Sequence, residues 1–171
     1  MKELLIEFVQ DPSQDNFLAL RSAFIESEDY DPYSDEMDQI DSLIEDEKWD
    51  EAQEALGLAM RNLMLSPRAH LAMSFVAKKM GNEMAEKMEG FLASTCCQGI
   101  IETGDGTKES PYLVTRTSDE YDVLAYLQQE FAGQSLHESE GRTYDLVKCS
   151  DGTELWFDIS DCYKKLKDQF G

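Results

Sequence analysis

Residues 104–117, which read GDGTKESPYLVTRT, mark the point at which the pattern of the chain changes. Before this stretch, apolar residues recur at the three- and four-residue steps of amphipathic helices. After it, β-branched and aromatic runs stand between turn residues, which is typical of strands. The sequence therefore predicts two parts: helical hairpins over residues 1–103, and a small α+β unit over residues 104–171 that packs on them.

The α+β unit is predicted to contain a small antiparallel sheet covered by one helix. Residues 111–117 predict a strand, and the next segment opens a helix whose early acids, Asp119 and Glu120, suit the helix dipole. Two further strands flank a turn at Glu140-Gly141, and Asp151-Gly152 predicts a tight hairpin into a last strand. The order strand, helix, three-strand meander and short final helix predicts an α+β fold.

The helical part contains a weak internal repeat. The segments Trp49-Asp50-Glu51-Ala52 and Asn82-Glu83-Met84-Ala85 stand at the same point of two predicted hairpins. Their separation is close to the roughly 34-residue period of tetratricopeptide repeats, and Pro67 lies in the linker between the hairpins. Glu47-Lys48 stands where such a hairpin usually has glycine. The hairpins resemble tetratricopeptide repeats with degenerate motifs, and a plain helical bundle is the alternative.

Several short motifs occur in a fixed order along the second half of the chain. They are His70, Gly104-Asp105-Gly106, Tyr112-Leu113-Val114, Asp119-Glu120-Tyr121, Tyr144-Asp145 and Phe157-Asp158. This order resembles an uncharacterised family of bacterial proteins that carry a domain of unknown function, over roughly residues 65–160. The resemblance implies an architecture and no activity. Some relatives in that family have a signal peptide, and we expect none here, because residues 1–7 show no basic region followed by an apolar run.

The charge of the chain is strongly negative, with 36 acidic residues against 15 basic ones and a net charge of −21. Because phosphates would be repelled, we expect no binding to nucleic acid or to an anionic membrane. A protein partner with a basic surface would be attracted. The predicted partner-binding surface lies in the acidic tract between Glu26 and Glu51, and a solvated helix face is the alternative. Its residues are Asp29, Asp31, Asp35, Glu36, Asp38, Asp41, Glu45, Asp46 and Glu47.

Three polar residues of the predicted strands are the candidates for catalysis. Asp145 and Asp158 fall on neighbouring strands and could act as general acid and base, with His137 beside them in a cleft between the two parts. The simpler interpretation follows from strand alternation. Each aspartate follows an aromatic residue, so it would face solvent while Tyr144 and Phe157 face the core.

The cysteines and histidines predict neither a metal site nor a cofactor. Cys96, Cys97, Cys149 and Cys162 match no metal-ligand spacing, and free thiols fit a reducing cytosol. His137 could approach Cys149 across the meander, but no neighbouring residue suggests an activated thiol. His70 is expected to be a packing or capping residue. With no signal peptide and no segment near the ~20 apolar residues of a membrane span, we expect a cytoplasmic protein.

The absence of catalytic motifs favours a non-catalytic interaction or adaptor protein with an acidic docking surface. A cryptic hydrolase that uses Asp145, Asp158 and His137 is the second hypothesis. An acidic neutraliser of a basic protein, such as an immunity-type protein or a nucleic-acid mimic, is the third. Six methionines of the helical part would fill the core, or else line an exposed groove suited to adaptable binding. They are Met60, Met64, Met73, Met80, Met84 and Met88.

Overall fold

The computed structural model describes residues 1–170, with side chains described as far as residue 166. Helices fill the first part of the chain, and a four-stranded sheet with two further helices follows, so the predicted α+β class is confirmed. The elements are α1 (Lys2–Gln10), α2 (Gln14–Ile25), α3 (Glu36–Glu45), α4 (Trp49–Leu63), α5 (Pro67–Lys79), α6 (Glu83–Ile101), β1 (Tyr112–Leu113), α7 (Ser118–Tyr126), β2 (Phe131–Ser139), β3 (Arg142–Cys149), β4 (Glu154–Asp158) and α8 (Ser160–Phe170).

Two helical hairpins, α3–α4 and α5–α6, form the middle of the chain. The helix starts follow from capping residues: the Ser66 hydroxyl accepts a hydrogen bond from the Ala69 amide, and Asn82 caps α6 in the same way. Gly81 joins α5 to α6 at φ +75°, a conformation that glycine adopts without steric cost. Buried residues of α3, α4 and α5 form a small core of their own: Ile40, Ala52, Leu56, Ala59, Leu63, Ala69 and Val76.

The sheet has the strand order β1-β4-β3-β2. Strands β2, β3 and β4 form the predicted antiparallel meander, and the β2–β3 turn places Glu140 and Gly141 at φ 53° and 78°, as a tight hairpin turn requires. The two-residue strand β1 pairs with β4 in parallel, so the sheet is mixed. Parallel pairing follows from the connection, because α7 lies between β1 and the meander and carries the chain across the sheet.

The larger hydrophobic core joins the helices of the first part to the sheet. Phe8, Phe17 and Phe24 pack in one cluster with Val123 of α7 and Phe157 of β4, all at 1% exposure or less. The Gly104–Gly106 turn lies against the same sheet, since the Trp156 amide donates a hydrogen bond to the Gly106 carbonyl at 2.8 Å. The two parts therefore share this larger interior, while α3 packs on the smaller core with α4 and α5.

Candidate functional site

One side of α3 is acidic and exposed. Asp38, Asp41 and Glu45 follow one another at steps of three and four residues, so they share a helix face, and all three are exposed. The opposite side is apolar: Ile40 is 1% exposed and packs on α4. The alternation of apolar and acidic positions thus divides α3 into a packed side and a charged side.

The structure separates the other predicted partner-binding acids into two groups. Asp29, Asp35, Asp46 and Glu47 are exposed, whereas Asp31 and Glu36 are half-buried. The Glu36 carboxylate accepts hydrogen bonds from the Ser34 hydroxyl at 2.9 Å and from the Asn62 amide at 2.7 Å. The Glu36 carboxylate is therefore already engaged within the fold, whereas the Asp31 carboxylate accepts from the Tyr33 amide at the surface.

Asn62 of α4 holds the acidic tract in place. Its side chain, only 7% exposed, accepts from the Asp31 amide at 2.9 Å and donates to the Asp31 carbonyl, to Ser34 and to Glu36. The buried Arg116 guanidinium donates to the Asn62 carbonyl at 3.0 Å. Hydrogen bonds from both ends of Asn62 thus fix the start of α3 to α4 and to the loop between β1 and α7.

A groove lies between α3 and α4, next to the acidic face. Its volume is about 240 Å³, and its lining is largely apolar apart from Glu36 and Gln39. Leu58 on the α4 side is 74% exposed, although it is a large aliphatic residue. An apolar pocket that adjoins charged residues has the anatomy of a protein-binding surface, in which a buried anchor is surrounded by a polar rim.

The three catalytic candidates do not meet in one place. In the β-ladder, Asp145 lies opposite Phe157, whereas Asp158 lies opposite Tyr144, which in turn lies opposite His137. Residues directly opposite each other share a face of the sheet. The structure therefore places Asp145 on one face, and Asp158 and His137 on the other.

Both aspartates are buried, which corrects the expectation that they would face solvent. Asp145 is 4% exposed and Asp158 is 2% exposed, while the neighbouring Tyr144 is half-buried and Phe157 is in the core as predicted. The Asp158 carboxylate accepts a hydrogen bond from the Ser160 amide and pairs with the Arg142 guanidinium. Strand alternation alone could not predict this, because helices cover both faces of the sheet.

His137 and Cys149 lie at opposite ends of the β2–β3 ladder. Cys149 is opposite Phe131, whereas His137 is opposite Tyr144, and each residue of a strand advances the chain by about 3.3 Å. His137 instead contacts the Ser135 hydroxyl at 3.0 Å, and its ring packs on Trp156 at a centroid distance of 5.0 Å. The predicted approach of this histidine to Cys149 is therefore wrong.

Asp145 has a different carboxyl partner, which the sequence did not single out for chemistry. It hydrogen-bonds with Glu120 of α7, which is 1% exposed, and Gln134 donates to Asp145 at 2.6 Å. Burial, and then the neighbouring Asp145 carboxylate, raise the pKa of Glu120 to about 9. Glu120 is therefore protonated at neutral pH and can donate to the Asp145 carboxylate.

The residue before Glu120 organises the loop between β1 and α7. One oxygen of the buried Asp119 carboxylate accepts hydrogen bonds from the amides of Thr115 and Arg116, each at 3.0 Å, and from the Thr115 hydroxyl at 2.9 Å. Burial raises the pKa of Asp119, and these donors oppose that effect. The Tyr30 hydroxyl donates to the Thr115 carbonyl at 2.7 Å. Asp119 thus ties the start of α7 to the loop that precedes it, and Tyr30 ties that loop to the core.

The cysteines and His70 occupy structural positions. All four thiols are free and buried, and burial raises the pKa of both Cys97 and Cys162 to about 12, so that these thiols stay protonated. His70 is 5% exposed and packs inside the α5–α6 hairpin, as predicted. Among the residues that the structure describes, no three His, Cys, Asp or Glu side chains are grouped to hold a metal ion. Within residues 1–170, no helix is long and apolar enough to cross a membrane.

The fold and the site together define an acidic α+β protein that presents a charged helix beside an apolar groove. The chain belongs to the family described as "Domain of unknown function (DUF4919)", whose sequence model matches residues 13–168. The match extends well beyond the motifs between residues 65 and 160, and it includes the whole acidic tract. No curated protein and no solved structure matches the chain at a significant level.

Proposed function

We propose that this protein is a non-catalytic docking module that binds a protein partner with a basic surface. The partner is bound by the acidic face of α3, which consists of Asp38, Asp41 and Glu45, and by the groove between α3 and α4. The observation that carries the proposal is the position of three exposed carboxylates on the same helix that lines a largely apolar groove. Charge would guide the partner to the surface, and the groove would hold it.

The chemistry of the groove defines the part of the partner that it accepts. A volume of about 240 Å³ is sufficient for one or two aliphatic side chains, which would contact Ile40 and the exposed Leu58. Lysine or arginine residues on either side of that anchor would then lie over the acidic face of α3. The Asn62 hydrogen bonds hold the start of α3 in position before binding, so little conformational entropy is lost on association.

The proposal also covers the repeat architecture that carries the docking surface and the compartment in which the protein acts. The α3–α4 and α5–α6 hairpins act as degenerate tetratricopeptide-like repeats of a bacterial protein, which present side chains for binding. Four free, buried thiols favour a reducing compartment, and we place the protein in the cytoplasm.

A neutraliser of a basic protein is the second candidate, and it would use the same surface. The observation that favours it is the concentration of seven exposed acids between Asp29 and Glu47. An adaptor leaves its partner active, whereas a neutraliser inhibits it at a one-to-one ratio. An activity assay of the captured partner distinguishes the two functions.

The test compares two variants that remove the same number of negative charges. One variant carries Asp38→Asn, Asp41→Asn and Glu45→Gln. The control carries Glu3→Gln, Glu7→Gln and Asp15→Asn, at exposed positions of α1 and α2. Each is used for affinity capture from cell lysate at low and high salt, and circular dichroism and thermal melting verify that both are folded.

We expect the wild type and the control to capture a dominant partner at low salt and to lose it at high salt, because salt screens exposed charges. The α3 variant should lose at least tenfold in capture at low salt, and Leu58→Ser, which leaves the net charge unchanged, should also weaken capture at low salt. Equal capture by the α3 variant and the control would exclude α3 as the docking surface.

A further inference from the structure

A cavity of about 150 Å³ lies between α1, α4 and the α5–α6 hairpin, remote from the acidic face of α3. Its walls are mainly apolar side chains from three elements that are distant in sequence. The main apolar contributors are Leu5, Phe8, Val9, Met60, Met64 and Leu92. The two methionines give the wall flexible, polarisable groups that adapt to the shape of an occupant.

The few polar groups in the wall already have partners within the protein. The two ring nitrogens of His70 contact the Glu89 carboxylate at 2.7 Å and the Met64 carbonyl at 3.0 Å. The hydroxyl of Thr95 donates to the Phe91 carbonyl at 2.9 Å. A buried water needs two to four polar partners, and these groups do not offer them. The interior of the cavity is therefore apolar in effect as well as in lining.

We propose that this cavity is a binding site for one small, uncharged apolar group, either a single aromatic ring or a short hydrocarbon chain. The volume limits the size of the occupant, because an apolar cavity of about 150 Å³ can bind a molecule such as benzene. Leu5, Val9 and Met60 are only partly buried, so the pocket has an opening through which a ligand can enter. The apolar wall limits the ligand to an uncharged group. The Glu89 carboxylate beside the wall is already hydrogen-bonded to the His70 ring, so an ionised ligand would find no free counter-charge.

The binding experiment uses benzene and n-hexanol as probes of the intact protein. Methyl signals of Met60 and Met64 and the ring signals of His70 report the cavity by NMR. Met84, which is 81% exposed, and His137 on the sheet report the surface. We expect saturable shifts of the cavity signals alone. By mass action, the midpoint of thermal unfolding should rise by about 3–6 °C when the probe is at roughly ten times its Kd.

The comparison of the two probes identifies the source of the ligand. Stronger binding of benzene indicates a free ring compound, whereas stronger binding of n-hexanol indicates the end of an alkyl or acyl chain. Either result supports the site. If neither probe gives saturable shifts, or if the Met84 signal shifts as much as the signals of Met60 and Met64, the proposal is wrong.

Substitutions in the wall test whether the probe binds in the cavity. Val9→Phe adds a ring to the wall and should lower the affinity for benzene at least tenfold, whereas Leu136→Phe makes the change at an exposed position of β2, outside the cavity, and should leave it unchanged. If Val9→Phe does not fold, Val9→Leu fills less of the space and should give a smaller loss. Full affinity in a folded Val9→Phe variant would overturn the assignment. The site is independent of docking at α3, so the failure of one does not affect the other.

Discussion

Replacement of Glu120 by glutamine should stabilise the protein, and the gain should increase with pH. Burial and the Asp145 carboxylate raise the pKa of Glu120 from an ordinary 4.5 to about 9. Between these two values the folded state keeps a proton that the unfolded chain releases. The free energy of unfolding therefore falls as pH rises through this window, by about 1.4 kcal/mol for each pH unit.

Glutamine resembles the protonated form of Glu120 and does not titrate. Its amide can donate to Asp145 in place of the carboxyl proton. Neutral pH lies about 2.5 pH units above the ordinary pKa of Glu120, and over this interval the wild type loses up to about 3 kcal/mol of stability. Glu120→Gln does not lose it and should be more stable than the wild type by that amount. At about pH 4.5 and below, both proteins should be nearly equal, because the glutamate is then protonated in both states.

Urea unfolding, followed by the fluorescence of Trp49 and Trp156, measures the effect between about pH 5 and pH 8. Asp122, whose pKa burial raises to about 7, titrates in both proteins, so its contribution cancels in the difference between them. Glu138→Gln, at an exposed position of β2, is the matched control and should follow the wild type. Parallel pH profiles for Glu120→Gln and wild type, or a less stable Glu120→Gln at pH 8, would refute the reasoning.

Three further substitutions test the packing and hydrogen bonds of the fold by urea unfolding. Asn62→Ala should cost about 2–4 kcal/mol, because four hydrogen bonds of a buried amide are lost, and a cost below about 1 kcal/mol would contradict its central role. Gly99→Ala places a methyl group closer than van der Waals contact to the Phe17 and Phe8 rings and should cost about 1–3 kcal/mol, whereas Gly57→Ala, in open space on α4, should stabilise by about 0.5–1 kcal/mol. Equal effects of the two glycine changes would be inconsistent with the packing. Tyr30→Phe removes a buried donor to the β1–α7 loop and should cost about 1–2 kcal/mol, and a stability equal to that of the wild type would mean that this bond contributes nothing.

The position of Asp145 illustrates where inference from the sequence ends in the candidate site. The motifs Asp119-Glu120-Tyr121 and Tyr144-Asp145 were evident as sequence features. The alternation around Asp145 did not show which face of the sheet its side chain would occupy. The direction depends on which face of the sheet α7 covers, and that face is set by packing across the whole chain. Residues 120 and 145 meet because α7 crosses the sheet, and local periodicity contains no information about that crossing.

The sequence alone determined the class of the fold, the helical hairpins, the tight turn at Glu140-Gly141 and the acidic side of α3. Each of these depends on residues within a few positions of each other, through periodicity, capping and turn conformation. It also determined the strongly negative charge, formally −21, although burial in the folded protein keeps a proton on Glu120 at neutral pH.

The tertiary structure alone decided that the Glu36 carboxylate and the backbone of Asp31 are bound by Asn62, twenty-six and thirty-one residues further along the chain. It likewise decided the parallel strand β1, the buried pair of Glu120 and Asp145, and the cavity beneath α1. All of these are contacts between segments that are remote in sequence. Their free energies depend on burial and on the partners that burial supplies, and neither exists until the chain has folded.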